Sequence, residues 1–431
     1  MRLLVAGLLG MAPAAAGAQV GQPPLSLEEA RATARRVSPE LSAARAAVTA
    51  AEARARQAGA IPNPTLAYSH EQTSRNGATN AQHVATVEQP LDFFGQRGAR
   101  RDAAQLRADA ARARLELTRA QLDLDVARAF AHALAGERRA ALALQMADAF
   151  TEARRVSGAR LAAGDVSGYA DRRLRLEGAR YAALAAQAAL ARDSARLALV
   201  GLLADSASGR PGLAAGALVL DARVLDSVGV TPAAAGEPAA PLAATADSLQ
   251  TLALSRRAEL RIAQLEREAA AAGVRLARTE RLPIPVLTAG VKTERTPDID
   301  GFRGLVAGVS LPLPLWDRRE GAVAAAEADT RVLDAELAGL RRQIAREVAE
   351  ALAASQAVEA QLSELRPRVA EDTDAALRAV RVAYAEGEIT LVEWLDAVRA
   401  YQDAQSTVAM LQAESIIRRA ALERAVGVPL P

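Results

Sequence analysis

The chain says nearly the same thing twice, about 220 residues apart. Ile61-Pro62-Asn63-Pro64-Thr65-Leu66 returns as Leu282-Pro283-Ile284-Pro285-Val286-Leu287, an offset of 221. Gln89-Pro90-Leu91-Asp92-Phe93-Phe94-Gly95-Gln96-Arg97 returns as Leu311-Pro312-Leu313-Pro314-Leu315-Trp316-Asp317-Arg318-Arg319, offset 222. Ala163-Gly164-Asp165-Val166-Ser167 returns as Glu386-Gly387-Glu388-Ile389-Thr390, offset 223. A drift this small over a hundred residues marks a duplicated half-molecule, not a stack of short solenoid repeats. Residues 19–204 form the first copy and 245–431 the second. Residues 205–244, rich in Ala, Gly, Pro and Ser and without helical period, link them.

Each copy carries the same parts in the same order. Ser26 and Glu29 have the spacing of a capping box. Helices are expected over about Pro39–Gln57 and Ala258–Arg278, each ending before a Pro-rich signal. Two short non-helical segments follow in each copy. Thr65–Glu71 and His83–Gln89 flank a polar loop at 73–78, within a hairpin at about 64–90. Val286–Thr293 and Leu305–Leu311 flank 296–301, within a hairpin at about 285–312. Leu287, Ala289 and Val291 alternate with Thr288, Gly290 and Lys292. That period fits either a membrane strand or a half-buried soluble hairpin. From Leu91 to Arg210 there is no proline, and apolar residues recur at helical spacing, with one break at residues 164–168. The second copy matches, with its break at 387–390 and Pro367 expected to kink the helix before it. A helix of about 70 residues spans about 105 Å at 1.5 Å per residue. It has to be a rod or the wall of a tube.

Composition narrows the setting. Hydrophobic residues make up 51% of the 431 but aromatics only 3%, which favours long helices with shallow seams over one thick core. The 53 basic and 51 acidic residues are interspersed, and no basic stripe carries interleaved aromatics, so nucleic acid is not an expected partner. Residues 1–18 read as a signal peptide: Arg2, an apolar stretch from Leu3 to Met11, then Ala16-Gly17-Ala18 before Gln19. Export is therefore expected. With no cysteine there are no disulfides, thiolate metal sites or lipidated cysteine. After the signal no apolar run reaches the ~20 residues of a spanning helix, so any crossing must be by strands. Four strands cannot close a barrel, since single-chain barrels start at about eight, and open edges are not tolerated in lipid. Several chains must then share one barrel.

The order of parts, the Gln-Pro-Leu signal followed by aromatics and glycine, and the Gly-x-x-Ser/Thr turns resemble the TolC-type outer-membrane efflux proteins. Within them they resemble the CzcC-like heavy-metal branch. The resemblance runs from about Leu25 to Val428. Its best single match is Tyr384-Ala385-Glu386-Gly387-Glu388-Ile389-Thr390-Leu391-Val392-Glu393-Trp394-Leu395-Asp396-Ala397. It implies a mainly α fold with a small β part: a homotrimer with a twelve-stranded outer-membrane barrel in lipid and a helical tunnel in the periplasm. Its implied partners are a periplasmic adaptor and an inner-membrane RND-type pump. It also implies that Glu393 and Asp396 ring the tunnel entrance as a cation-selective constriction. Tyr384 matches a gate tyrosine. The gate's arginine falls at Ile389 and its aspartate at Ala170, with Asp171 adjacent, so closure must use another bond or packing alone. Gly164, Ser167, Gly387 and Thr390 mark the tips that meet the adaptor.

An enzyme is not expected. The three histidines, His70, His83 and His132, have neither metal-ligand nor triad spacing, no phosphate-binding loop is present, and nothing calls for a cofactor. His70 and His83 lie in the first hairpin, where a lumen-facing orientation would permit transient metal contact. A secreted coiled-coil scaffold is the rival reading, but it leaves the duplicated hairpins without a purpose. Metal cations or drugs remain alternative cargoes.

Overall fold

The computed structural model describes residues 24–76, 78–204, 220, 245–296 and 299–430. The expected signal peptide and, apart from Leu220, the linker lie outside the described residues. The first half comprises α1 (Leu27–Val37), α2 (Pro39–Ala58), β1 (Thr65–Arg75), β2 (Ala78–Pro90), α3 (Gln96–Ala163) and α4 (Gly168–Leu203). The second comprises α5 (Ala246–Arg256), α6 (Ala258–Thr279), β3 (Val286–Thr296), β4 (Ile299–Ser310), α7 (Glu320–Glu386) and α8 (Leu391–Val426). The halves match almost residue for residue. α1 and α5 have 11 residues each, α3 and α7 have 68 and 67, and α4 and α8 have 36 each.

The helices begin where local chemistry supplies a cap. Ser26 and Glu29 form the expected capping box on α1. Ser38 caps α2, with Pro39 in its first turn. Asp92 accepts the backbone N–H groups of Gln96 and Arg97 at the start of α3. α7 continues through Pro367 as one helix. At 1.5 Å per residue α3 is about 100 Å long.

Small apolar seams are distributed along these rods. One joins α1, α2, α3 and α4 around Val126, Phe130 and Leu199. A second joins α5, α6, α7 and α8 around Leu249, Ile344 and Leu422. Between them, Arg257 pairs with Glu259 at 2.9 Å and with Glu347, and Arg424 reaches Glu259 at 2.6 Å. Arg35 makes a two-pronged contact with Asp123 at 2.7 and 2.6 Å. Gln96, which is buried, donates to the carbonyls of Thr279 and Leu282 at 3.1 Å each, tying the start of α3 to the end of α6.

The four strands form one antiparallel sheet in chain order. Its strands are longer than the sequence suggested. Most of the expected polar loop at 73–78 is strand, because Asn76 takes a positive φ of 51° and closes a tight turn between paired Arg75 and Ala78. The register puts Leu66, Val87, Ala289 and Ala307 in one row on one face. Tyr68, Ala85, Val291 and Leu305 form the next row on that face. This apolar face is the exposed one: Leu66 is 76% and Leu305 89% accessible. Along β3 the polar face is the more enclosed, with Thr288, Gly290 and Lys292 half-buried and Leu287, Ala289 and Val291 exposed. The sheet thus has the inverse polarity of a water-soluble sheet. Among the described residues, no helix is long and apolar enough to cross a membrane.

His70 and His83 lie on the apolar, exposed face of the sheet. They pair across the strands with ring centroids 4.4 Å apart, on the exposed face shared with Leu66 and Val87. Strand parity leaves no choice, because each lies an even number of residues from an outward apolar side chain.

Candidate functional site

Both helical hairpins turn at the same end of the molecule, a full length of α3 from the sheet. The turns are built alike. Gly164 and Gly387 end α3 and α7 with φ of 85°, a left-handed conformation that glycine adopts without penalty. The Ser167 hydroxyl accepts from Ala170 N–H and starts α4. The Thr390 hydroxyl accepts from Glu393 N–H at 3.3 Å and starts α8.

The second tip carries more. The Glu393 carboxylate accepts from Thr390 N–H at 2.7 Å, completing a capping box. That backbone bond, with the Thr390 hydroxyl, holds its pKa below the ordinary carboxylate value. Glu393 and Asp396 are both exposed, on the side of α8 away from buried Trp394, Leu395 and Val398. The spacing puts them one turn apart on a common face.

Behind that face lies the main aromatic cluster of an aromatic-poor chain. Phe150 stacks on Tyr181 at 4.2 Å and meets the edge of Trp394 at 4.7 Å. Trp394 also lies 5.4 Å from Tyr384. Leu174, Leu377 and Leu395 fill the rest, and Ile389 packs against the edge. Such aromatic pairs contribute about 0.5–1.5 kcal/mol each beyond area burial. Burial raises the pKa of the Tyr384 phenol, against the opposing influence of Ser157 and Arg160. Burial likewise raises that of Tyr181, with Arg399 opposing. Asp171 is buried beside this cluster and pairs with Arg175 on its own helix at 2.7 Å.

Tyr384 and Asp171 lie close together at this tip, and packing holds the tyrosine. An unanticipated residue joins the hairpins: Arg160 Nη1 donates to the Tyr384 carbonyl at 3.1 Å. Arg399 on α8 pairs with Glu177 on α4 at 2.8 Å. The only signal for Arg160 in the sequence is its place in the last turn of α3, where a cation suits the helix C-terminus. Trp394, Phe150 and Gln96 were likewise unassigned.

Comparison with known proteins gives a consistent pattern. The chain matches the outer membrane efflux protein family over residues 31–202 and 249–428. It is 28% identical over 299 residues to the cobalt-zinc-cadmium resistance protein CzcC of Cupriavidus metallidurans, a match covering 69% of this chain and 65% of that protein. A crystal structure of CusC superimposes with a TM-score of 0.73 at 19% identity, covering 93% of this chain and 92% of the other. The open state of the MtrE outer membrane channel from Neisseria gonorrhoeae gives 0.71 at 19% identity, covering 94% and 89%. At these identities the structural likeness speaks to the fold.

Proposed function

The chain belongs to the outer membrane efflux protein family, and from that premise we propose that it is the outer-membrane duct of a tripartite exporter. Three copies close a twelve-stranded barrel in the outer membrane and a helical tunnel in the periplasm. The tips at Gly164, Ser167, Gly387 and Thr390 dock on a periplasmic adaptor, which holds an inner-membrane RND-type pump. The duct is passive and carries what the pump delivers; resemblance to CzcC favours heavy-metal cations as cargo.

The observation that carries this reading is the inverted polarity of the sheet. Leu66, Val87, Val291 and Leu305 lie exposed on one face, while on the two central strands the opposite, more polar face is the more enclosed. The outer edges of β1 and β4 have no partner within the described chain. In hydrocarbon each unsatisfied backbone group costs several kcal/mol, so those edges must pair with neighbouring copies. A coiled-coil scaffold has no use for such a surface.

Glu393 and Asp396 supply the entrance. Three copies of each on a narrow mouth favour cations and repel anions. Tyr384 and Asp171 sit where the mouth closes, and closure rests on the aromatic packing behind them. The test uses Glu393→Gln with Asp396→Asn, because glutamine preserves the capping box while removing charge. In planar bilayers the wild-type channel should prefer cations and be blocked by divalent or trivalent ions from the tip side. The double variant should lose most of both properties while remaining a trimer in mild detergent. Unchanged selectivity and block would make these two carboxylates ordinary surface charges. A purely monomeric wild-type protein that washes off membranes with carbonate would remove the duct reading itself.

A further inference from the structure

The duplication extends to the pairing of the strands. An offset of 221 carries β1 onto β3, and one of 222 carries β2 onto β4. Applied to the first hairpin, these offsets turn every couple from Thr65–Glu88 to Thr73–Asn80 into a couple of the second, from Val286–Ser310 to Glu294–Phe302. Both hairpins thus have one register. Between them, β2 of the first copy pairs with β3 of the second, from Ala81–Arg295 to Pro90–Val286. The Leu91 N–H prolongs that ladder by donating to the Pro285 carbonyl at 2.8 Å. This is how the end of one copy joins the start of the next.

The outer edges of β4 and β1 lack such a join among the described residues. They are the same two edges one copy further on, since β4 answers to β2 and β1 to β3. The offsets that map one hairpin onto the other therefore map the inner join onto an outer one, running from Arg303–Ser74 to Pro312–Thr65. The side chains agree with it. Leu311 meets Leu66, Val309 meets Tyr68 and Ala307 meets His70, all from the exposed apolar face. A slip of one residue would set that face against the enclosed one. Followed from Leu66 through Val87, Ala289 and Ala307, the couples return to β1 at His70, four residues along. Over three chains the strands then lean by about 35°, at ~3.3 Å per residue and ~4.8 Å between strands, in keeping with the ~35–45° of membrane barrels. A slip of two residues flattens the lean to about 20° in one direction and raises it to about 45° in the other. The first is outside that range, and of the remaining two only the unslipped register repeats the join already made within the chain.

We infer that the edge of β4 binds β1 of a second copy of this chain in that register, with Ala307 opposite His70 and Val306 opposite Glu71 of the neighbouring copy. The Leu313 N–H donates to the neighbouring copy's Pro64 carbonyl, as Leu91 does to Pro285 within the chain. The inference rests on the duct reading, which brings the copies together, and adds which residues meet. Pro90 and Pro312 hold the same place in the two joins, and Pro285 and Pro64 each offer a carbonyl with no N–H of their own. The prolines thus end both ladders at the same level, where the strands give way to helices.

The experiment is a disulfide scan of the full chain in outer membranes, oxidised with copper phenanthroline and resolved on a denaturing, non-reducing gel. The chain has no cysteine, so introduced thiols have no competitors. Two facing couples are made: Ala307→Cys with His70→Cys, and Val306→Cys with Glu71→Cys. Successive antiparallel couples alternate between narrow and wide, so one of these two is narrow. Slipped couples join Ala307→Cys to Tyr68→Cys or Gln72→Cys, and Val306→Cys to Ser69→Cys or Thr73→Cys. Their Cβ atoms would be ~7–8 Å apart, beyond the ~3.5–4.5 Å of a disulfide. The corresponding couples of the inner join, Ala85→Cys with Val291→Cys and Val84→Cys with Lys292→Cys, are the intrachain control, read as loss of maleimide labelling. A covalent three-chain band from a facing couple, and from no slipped one, is expected. A band strongest from a slipped couple would overturn the register and leave the duct standing. Closure of an intrachain control with no interchain band from any couple would overturn the shared barrel, and the inference with it.

Discussion

Gly164 and Gly387 share a φ of 85° but not an environment, and this allows a clean test of how the two hairpins are joined. A Cβ added at Gly164 meets nothing within 4 Å, whereas at Gly387 it would sit 2.9 Å from Arg160 Nη2. Gly164→Ala therefore bears only the left-handed backbone penalty, about 1–2 kcal/mol, less about 0.4–1 kcal/mol recovered from a stiffer unfolded chain. Gly387→Ala bears the same and also displaces Arg160 from the Tyr384 carbonyl. A half-exposed charged hydrogen bond of that kind is worth about 1 kcal/mol. The difference corresponds to about a fivefold change in local opening. Native-state hydrogen exchange reads it at the tip amides. Gly387 and Glu388 donate to Tyr384 and Ala383; their counterparts Gly164 and Asp165 donate to Leu161 and Arg160. In an Arg160→Ala background the two alanine substitutions should cost the same, since the double-mutant cycle removes the shared contact. If Gly387→Ala stays the more damaging there, or if the two never differ, Arg160 does not join the hairpins.

Two more predictions concern the sheet and the ion-pair belt. A Cβ at Gly290 would fall 2.7 Å from Thr86 Cα and against the Ala85 carbonyl, whereas at Gly308 it meets nothing. Gly290→Ala should thus abolish trimer recovery from membranes and Gly308→Ala should not, as scored by native gel. Burial works against the charged forms of Glu259 and Glu347, but Arg257 beside both, and Arg424 beside Glu259, hold their pKa values below the ordinary 4.5. That stabilisation is complete above the unfolded value and is lost as pH falls through the folded ones. Melting temperatures measured from pH 7 to pH 3 should therefore drop below about pH 4.5, and Arg257→Gln should flatten that drop while lowering the neutral-pH value.

Local chemistry was the legible part of this fold. Proline and glycine set the helix ends, so α2, α6 and both tips fell within a residue or two of expectation. The Ser26 box was legible because its two residues lie three apart. The identical pattern at Thr390 and Glu393 was overlooked, since the carboxylate already had a role by resemblance; the structure shows the side chain exposed and serving the backbone. Contacts distant in sequence were not legible. Phe150, Tyr181, Tyr384 and Trp394 come from four different helices, and nothing local marks them as neighbours. Arg257 and Arg424 look like the many solvated arginines of this chain until folding buries their partner Glu259. The facing of His70 was not legible because small residues such as Ala67 and Ser69 blur the alternation on β1.

The two tips, alike in backbone, differ in what they present. The first ends in an open glycine and a simple serine cap. The second is backed by Trp394 and Tyr384, braced by Arg160 and marked by Glu393. In the proposed threefold assembly the periplasmic rim is a crown of six teeth of two alternating kinds. A partner ring of six identical subunits would meet it quasi-equivalently, every second subunit seeing a different surface. Such a partner is lowered from sixfold to threefold symmetry on docking, its six subunits sorted by the unlike teeth into two alternating sets.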